Sequence, residues 1–274
     1  MSYRRKHIKN KILKTRPKKS VFKMPIFWIS LVVLALLFVG AYFLLFYPDL
    51  QVRNITINGN EKVNTEEVQN IISNNVNKKL VGFGQWGIYS KSIFLVNSEE
   101  IQKQILNSYP VIKSAIINKK LPQDLTAQIE ERKQVAVFSQ NNKYFYIDDS
   151  GVIFEELPNI SENTFIVRQN LDTNNAFVGE TVIQEKIMKA ISEIEKTLKD
   201  NFQINLTEAL ISTPIRLDIK TGENWQIYFN IDSDSDIKLQ LTKLNLLLKE
   251  QISQETRQKL EYVDLRFKDR AYYK

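Results

Sequence analysis

Gly82-Phe83-Gly84-Gln85-Trp86-Gly87 spells G-x-G-x-x-G, the spacing with which glycines let a backbone approach a pyrophosphate. That chemistry needs a strand before the glycines and a helix directly after them. Here a helical pattern precedes and an aromatic-rich stretch follows, so a flexible loop between two helices is expected. Its Phe83 and Trp86 would then be exposed, open to a partner or to a membrane surface. Asp232-Ser233-Asp234-Ser235-Asp236 has the spacing of a calcium loop, but Ile237 stands where glycine is required and Lys243 where the closing glutamate should be. A solvated turn capping the next helix is expected instead. Asp148-Asp149 and Glu155-Glu156 offer paired carboxylates for acid–base work. Neighbours on a strand point to opposite faces, so neither pair converges on one atom, and surface solvation is the expectation for both.

The remaining catalytic repertoire is short. The 274 residues include no cysteine and one histidine, His7. This excludes thiolate metal sites, cysteine nucleophiles and histidine-based triads, and no cofactor or metal site is expected. Asn54-Ile55-Thr56, Asn159-Ile160-Ser161 and Asn205-Leu206-Thr207 fit the glycosylation sequon, as chance allows in so Asn-rich a chain.

The elements that must hold any site begin with charge. Residues 1–23 carry ten Lys or Arg (Arg4, Arg5, Lys6, Lys9, Lys11, Lys14, Arg16, Lys18, Lys19 and Lys23) and no acid. The rest has 28 basic and 31 acidic residues, so the sequence pI of about 9.3 belongs to the tail and does not indicate a nucleic-acid-binding domain. Ile26 to Tyr47 is uncharged and long enough to cross a bilayer, with Trp28, Tyr42 and Tyr47 near its ends. It exceeds a signal-peptide core and lacks a small-residue cleavage site. Basic residues before the span and none just after it place the N-terminus in the cytoplasm and the body outside.

In that body, Gln51 to Asn60 reads as a strand ending in the Asn58-Gly59 turn. Asn64 opens a helix burying Val68, Ile71, Ile72 and Val76; Asn97 opens a second burying Ile101, Ile105 and Leu106. Val111–Lys119 and Leu125–Arg132 alternate as two strands around Leu121-Pro122. The order is β-α-α-β-β. Strands are then expected at Val135–Phe138, Lys143–Asp148, Gly151–Glu155 and Thr164–Arg168, an amphipathic helix at Gln184–Leu198, a hairpin at Ile215–Ile219 and Trp225–Phe229, and a helix at Ile237–Leu248.

The runs VRNITINGNEKVNTEEV and ILNSYPVIKSAIINKKLPQDLTAQIEERKQVAVF resemble the POTRA module of the FtsQ/DivIB cell-division family. Pro122, Leu125, Ile129, Glu131, Arg132, Val135 and Ala136 fall at that pattern's places, YFYIDDSGVIFEE resembles the opening of the family's second domain, and YVDLRFKDRAYYK resembles its last strands. The likeness is weakest between about 156 and 205. It implies an α+β protein divided as a basic cytoplasmic tail (1–25), a transmembrane helix (26–47), a β-α-α-β-β POTRA domain (50–133) and a C-terminal mixed domain (134–274) with a mostly antiparallel curved sheet and two helices. It also implies a non-enzymatic, septum-localised scaffold. Its implied partners are small coiled-coil proteins of the FtsB/DivIC and FtsL types and, through them, the septal synthases FtsW and FtsI. The expected contact is strand addition at the terminal sheet edge: Phe267, Tyr272 and Tyr273 would anchor by burial, Arg266 and Arg270 would meet partner carboxylates, and Asp269 and Ala271 complete the segment. The competing expectations are that Leu265 and Phe267 are core, with a frayed end. A secretion-type POTRA protein, which would continue into a barrel, and an anchored cell-wall enzyme using carboxylates alone are the alternative functions.

Overall fold

The computed structural model describes residues 22, 24–83, 86–161, 164–170 and 175–274. The basic tail with His7, and Gly84 and Gln85 of the glycine motif, lie outside the described residues. The chain divides into two compact units.

In the first unit, helix α1 (Pro25–Phe46) has no buried residue and a mean hydropathy of 2.7 over its most apolar stretch. Its 22 residues extend about 33 Å at about 1.5 Å each, enough for a bilayer core. Pro25 occupies the first turn, where its missing N–H is not needed, and Pro48 follows the end.

The second unit contains strand β1 (Asn54–Asn58) and helix α2 (Thr65–Val76); Asn64 accepts from the Glu66 amide at 2.9 Å. Between α2 and the next helix the first unit contributes a hairpin of β2 (Lys78–Phe83) and β3 (Trp86–Ser90). This corrects the expected loop: the glycine motif is flanked by paired strands, not by a helix and a loop. The β-branched Val81 and Ile88 face each other and Lys79 pairs with Tyr89, while glycines oppose each other at Gly82 and Gly87. Helix α3 (Ser98–Ser108) follows, capped by Asn97 accepting from the Glu100 amide at 3.3 Å, then β4 (Ile112–Lys120) and β5 (Asp124–Glu131). β5 is central, parallel to β1 and antiparallel to β4. Gly59 has φ +88°, and a Cβ there would strike the Ile129 carbonyl oxygen, which explains the Asn-Gly turn.

The remaining strands are β6 (Ala136–Gln140), β7 (Lys143–Ile147), β8 (Ile153–Leu157), β9 (Ile166–Gln169), β10 (Leu206–Thr213), β11 (Arg216–Thr221), β12 (Gln226–Asn230), β13 (Tyr262–Asp264) and β14 (Tyr272–Tyr273). They form one sheet, ordered β14-β13-β12-β11-β10-β9-β6-β7-β8, with five of its eight pairings antiparallel. β10, which the sequence reading omits, is the middle strand. Helix α4 (Glu185–Phe202) buries Met188, Ile191, Ile194 and Leu198, one stripe at 3–4-residue spacing. Helix α5 (Ile237–Leu246) continues into a π turn over Leu247–Gln251, and a single turn, α6, covers Gln254–Arg257. Both long helices pack on one sheet face in a cluster with Phe138, Phe145, Leu217, Trp225, Ile227 and Phe229.

Leu198 has no exposed surface in that cluster, so Leu198→Ala removes contacts that cannot fully close over. The expected loss is about 2–5 kcal/mol in denaturant unfolding followed by near-UV circular dichroism, with native secondary structure retained.

Candidate functional site

The terminal edge is built from sheet order. β13 lies parallel to β12, with Tyr262, Val263 and Asp264 opposite Gln226, Ile227 and Tyr228. The chain then loops back so that Tyr272 and Tyr273 pair with Asp264 and Val263. Lys274 donates its N–H to the Tyr262 carbonyl at 3.1 Å, and its carbonyl accepts from the amides of Glu261 and Tyr262 at 2.6 and 3.4 Å. Antiparallel ladders alternate, so the intervening Tyr273 turns its own N–H and C=O outward. The opposite edge is handled differently. At the start of β8, Ile153 donates to the Glu180 carbonyl at 3.0 Å and accepts from the Gly179 amide at 2.7 Å.

Side chains at the terminal edge separate into two groups. Leu265 is fully buried, whereas Phe267, Tyr272 and Tyr273 are 47%, 46% and 46% exposed. The Phe267 and Tyr272 rings meet edge-on with centroids 5.1 Å apart, and Arg270 donates to the Tyr272 hydroxyl at 3.4 Å. Asp269 and Arg270 are exposed, and Ala271 packs against the core. Arg266 lies along the sheet face opposite the core: it pairs with Asp264 at 2.6 Å and lies 5.6 Å from the Tyr228 ring, which Arg216 approaches at 4.6 Å. Burial alone would raise the Asp264 carboxyl, but hydrogen bonds from the Arg266 side chain and amide, with the charges of Arg266 and Arg216, hold it below its ordinary range.

Lys243 on α5 fastens the loop before β14. Its ammonium donates to the carbonyls of Leu265 at 3.1 Å and Phe267 at 2.5 Å. Burial lowers its pKa, against the opposing pull of Asp269 and Asp264. Sequence reasoning misses Lys243, Tyr228 and Arg216, because they reach the edge from separate elements. The period-2 pattern of Gln226–Asn230, which turns Tyr228 to the face opposite the core, is the signal available.

The tempting motifs resolve structurally. Asp236 caps α5, accepting from the amides of Lys238 and Leu239 at 2.9 and 3.2 Å. Among the described residues no cluster of three His, Cys, Asp or Glu side chains is placed to hold a metal. Glu155 and Glu156 are surface residues paired with Lys62 and Lys143, and Asp149 pairs with Lys113. Asp148 contradicts the expected solvation, because it is completely buried. It accepts from the amides of Ser150 and Val152 at 3.0 and 2.9 Å, from the Ser150 hydroxyl, and from Arg132 at the end of β5. The turn that hides it needs Gly151, whose φ is +81° and where a Cβ would collide with the Ile183 carbonyl.

An anchor-length apolar helix, a small module of two helices on a three-stranded sheet, and a sheet domain ending in an open edge together define an anchored α+β protein with a POTRA-like region. Residues 86–132 match the family model described as POTRA domain, FtsQ-type, and residues 136–266 match that of cell division protein FtsQ/DivIB, C-terminal. Similar curated proteins include the cell division protein DivIB of Clostridium acetobutylicum, 28% identical over 233 residues that cover 82% of this chain and 83% of that protein. The cell division protein DivIB of Clostridium tetani is 24% identical over 211 residues, 75% of this chain and 73% of that one. The cell division protein FtsQ of Koribacter versatilis is 26% identical over 163 residues, covering 59% and 42%. The chain belongs to the FtsQ/DivIB family of cell division proteins.

Burial alone would raise the Asp148 carboxyl, but the Val152 amide, the Ser150 hydroxyl and the Arg132 guanidinium together hold it below the ordinary range. A depressed carboxyl stabilises the fold above its unfolded pKa of about 3.9, and this contribution is lost as pH falls through the lower folded value. Asp148→Asn should therefore cost about 3 kcal/mol at pH 7, where Arg132 loses its carboxylate, and flatten the decline in stability below about pH 4. Urea unfolding of both proteins between pH 7 and 3 measures this difference.

Proposed function

We propose that this chain is a non-enzymatic scaffold of the bacterial division machinery, held in the cytoplasmic membrane by α1 with its basic tail in the cytoplasm. The body outside divides near residue 133 into the POTRA and C-terminal domains and links early to late division proteins at the septum. It binds coiled-coil proteins of the FtsB/DivIC and FtsL types and through them influences the FtsW and FtsI septal synthases. Family membership supports the division role. The single observation that carries the mechanism is the outer side of β14, where Tyr273 presents unshared backbone groups beside exposed Phe267 and Tyr272.

A partner strand laid along that side would take the Tyr273 N–H and C=O into its own ladder and cover the two neighbouring rings. Arg270 would meet an acidic side chain of the added strand. Arg266, already paired to Asp264, would shape the edge rather than touch the partner.

Tyr273→Pro tests strand addition directly. It removes the outward N–H, leaves the inward bonds of Lys274, and suits an edge position. With full-length protein in nanodiscs, affinity for an FtsB/DivIC-type partner should fall at least about tenfold, about 1.4 kcal/mol. Deleting 270–274 should abolish binding. Unchanged affinity in both variants would refute the edge mechanism. An N-terminal fluorescent fusion should form a midcell band during constriction, and uniform envelope fluorescence would refute the septal role.

A further inference from the structure

We propose that the β2–β3 hairpin is a second membrane contact, with Val81, Trp86 and Ile88 seated in the headgroup region beside the outer end of α1. This rests on α1 spanning the bilayer. These three side chains are 69%, 86% and 54% exposed. Val81 lies opposite Ile88 in the ladder, so the two share a face, and Trp86, two residues along β3, shares it as well. The other face holds Gly82, Gly87, Tyr89 and the Lys79 side chain, whose stem runs over both glycines.

What commits the apolar face to lipid is the residue next along it. Ser90 follows Trp86 and Ile88 at the same period-2 spacing, and its hydroxyl donates to the Leu45 carbonyl in the last turn of α1. Ser92 donates to the Leu44 carbonyl at 2.7 Å, and Gln51 donates to Leu45 at 2.8 Å while accepting from the Lys91 amide at 2.8 Å. The helix-end carbonyls are thus satisfied by the base of the hairpin, which fixes that base at the depth where the hydrocarbon ends. Because Ser90 points at the helix end, Ile88 and Trp86 are turned to the same, membrane-facing side. Tryptophan, with an apolar body and one N–H, suits that depth.

The chain lacks cysteine, so single labels are unambiguous. Full-length Ile88→Cys, Leu37→Cys and Lys196→Cys, each carrying an NBD fluorophore, would be reconstituted into phosphatidylcholine–phosphatidylglycerol vesicles. The label at 88 should be quenched at least about twofold more by shallow nitroxide lipids than the exposed label at 196, and correspondingly less by aqueous iodide. Adding Trp86→Glu should return it toward the aqueous value. A label at 88 that behaves like the one at 196, while the mid-helix label at 37 is lipid-buried, overturns the hairpin contact alone and leaves the face to a protein partner. A label at 37 that iodide reaches overturns the span, and the hairpin contact with it.

Discussion

The buried carboxylate of Asp148 is the point from which much of the larger unit is organised. A buried charge is tolerable only when paired and fully hydrogen-bonded, and the groups that satisfy this one come from different elements. Ser150 and Val152 close the β7–β8 turn around it. Arg132 arrives from the end of β5, and the same side chain donates to the Pro110 carbonyl at 3.0 Å, while its amide bonds Val111. Gly151 in that turn packs against the Ile183 carbonyl just before α4. One ionised side chain therefore ties the exit of the three-stranded sheet, the link from α3 to β4, the β7–β8 hairpin of the large sheet and the approach to its main helix.

Sheet order then separates two kinds of edge. β8 lies beside this hub, and its first residue is sealed by the segment around Gly179 and Glu180. β14 lies eight strands away, is two residues long, and leaves the outer groups of Tyr273 unshared. Long open edges invite uncontrolled pairing, and a very short edge beside charged residues limits that hazard. Glu131 shows the same economy at the module's far turn: one carboxylate accepts the amides of Glu61, Lys62 and Val63 at 2.8 to 3.0 Å.

Legibility in the sequence followed the strength of the hydrophobic period. α1 is a continuous apolar run, and α4 repeats buried positions at helical spacing, so both are plain from the residues alone. β4 and β5 alternate cleanly enough to be placed within a residue or two. The β2–β3 hairpin is not legible in that way, since glycines occupy paired positions and both faces of its tip are exposed, which erases the alternation. β10 is obscured because Glu208 and Leu210 are partly buried between two partner strands, a context no local window contains. Asp148 and Asp149 diverge, but in the β7–β8 turn rather than along a strand, and the turn, not strand alternation, decides that Asp148 goes inward. At the edge, chain position marked the segment that forms the terminal strand. Which side chains face out depended on Lys243 and Tyr228, residues distant in sequence.

β14 itself buries little surface. Its two tyrosines are half exposed, and the loop before it is held by the Lys243 ammonium donating to the carbonyls of Leu265 and Phe267. A partly desolvated ammonium bonded to carbonyls is a directional fastening: it fixes where the backbone runs without burying the rings beside it. Elements with few buried apolar contacts and solvent-facing hydrogen bonds open at lower free energy than the core strands. Strand addition in the proposed mechanism would place Tyr273 between two ladders and remove that deficit. The edge is thus positioned in the free chain, and under the proposed mechanism an added strand would supply the ladder bonds that β14 lacks on its outer side.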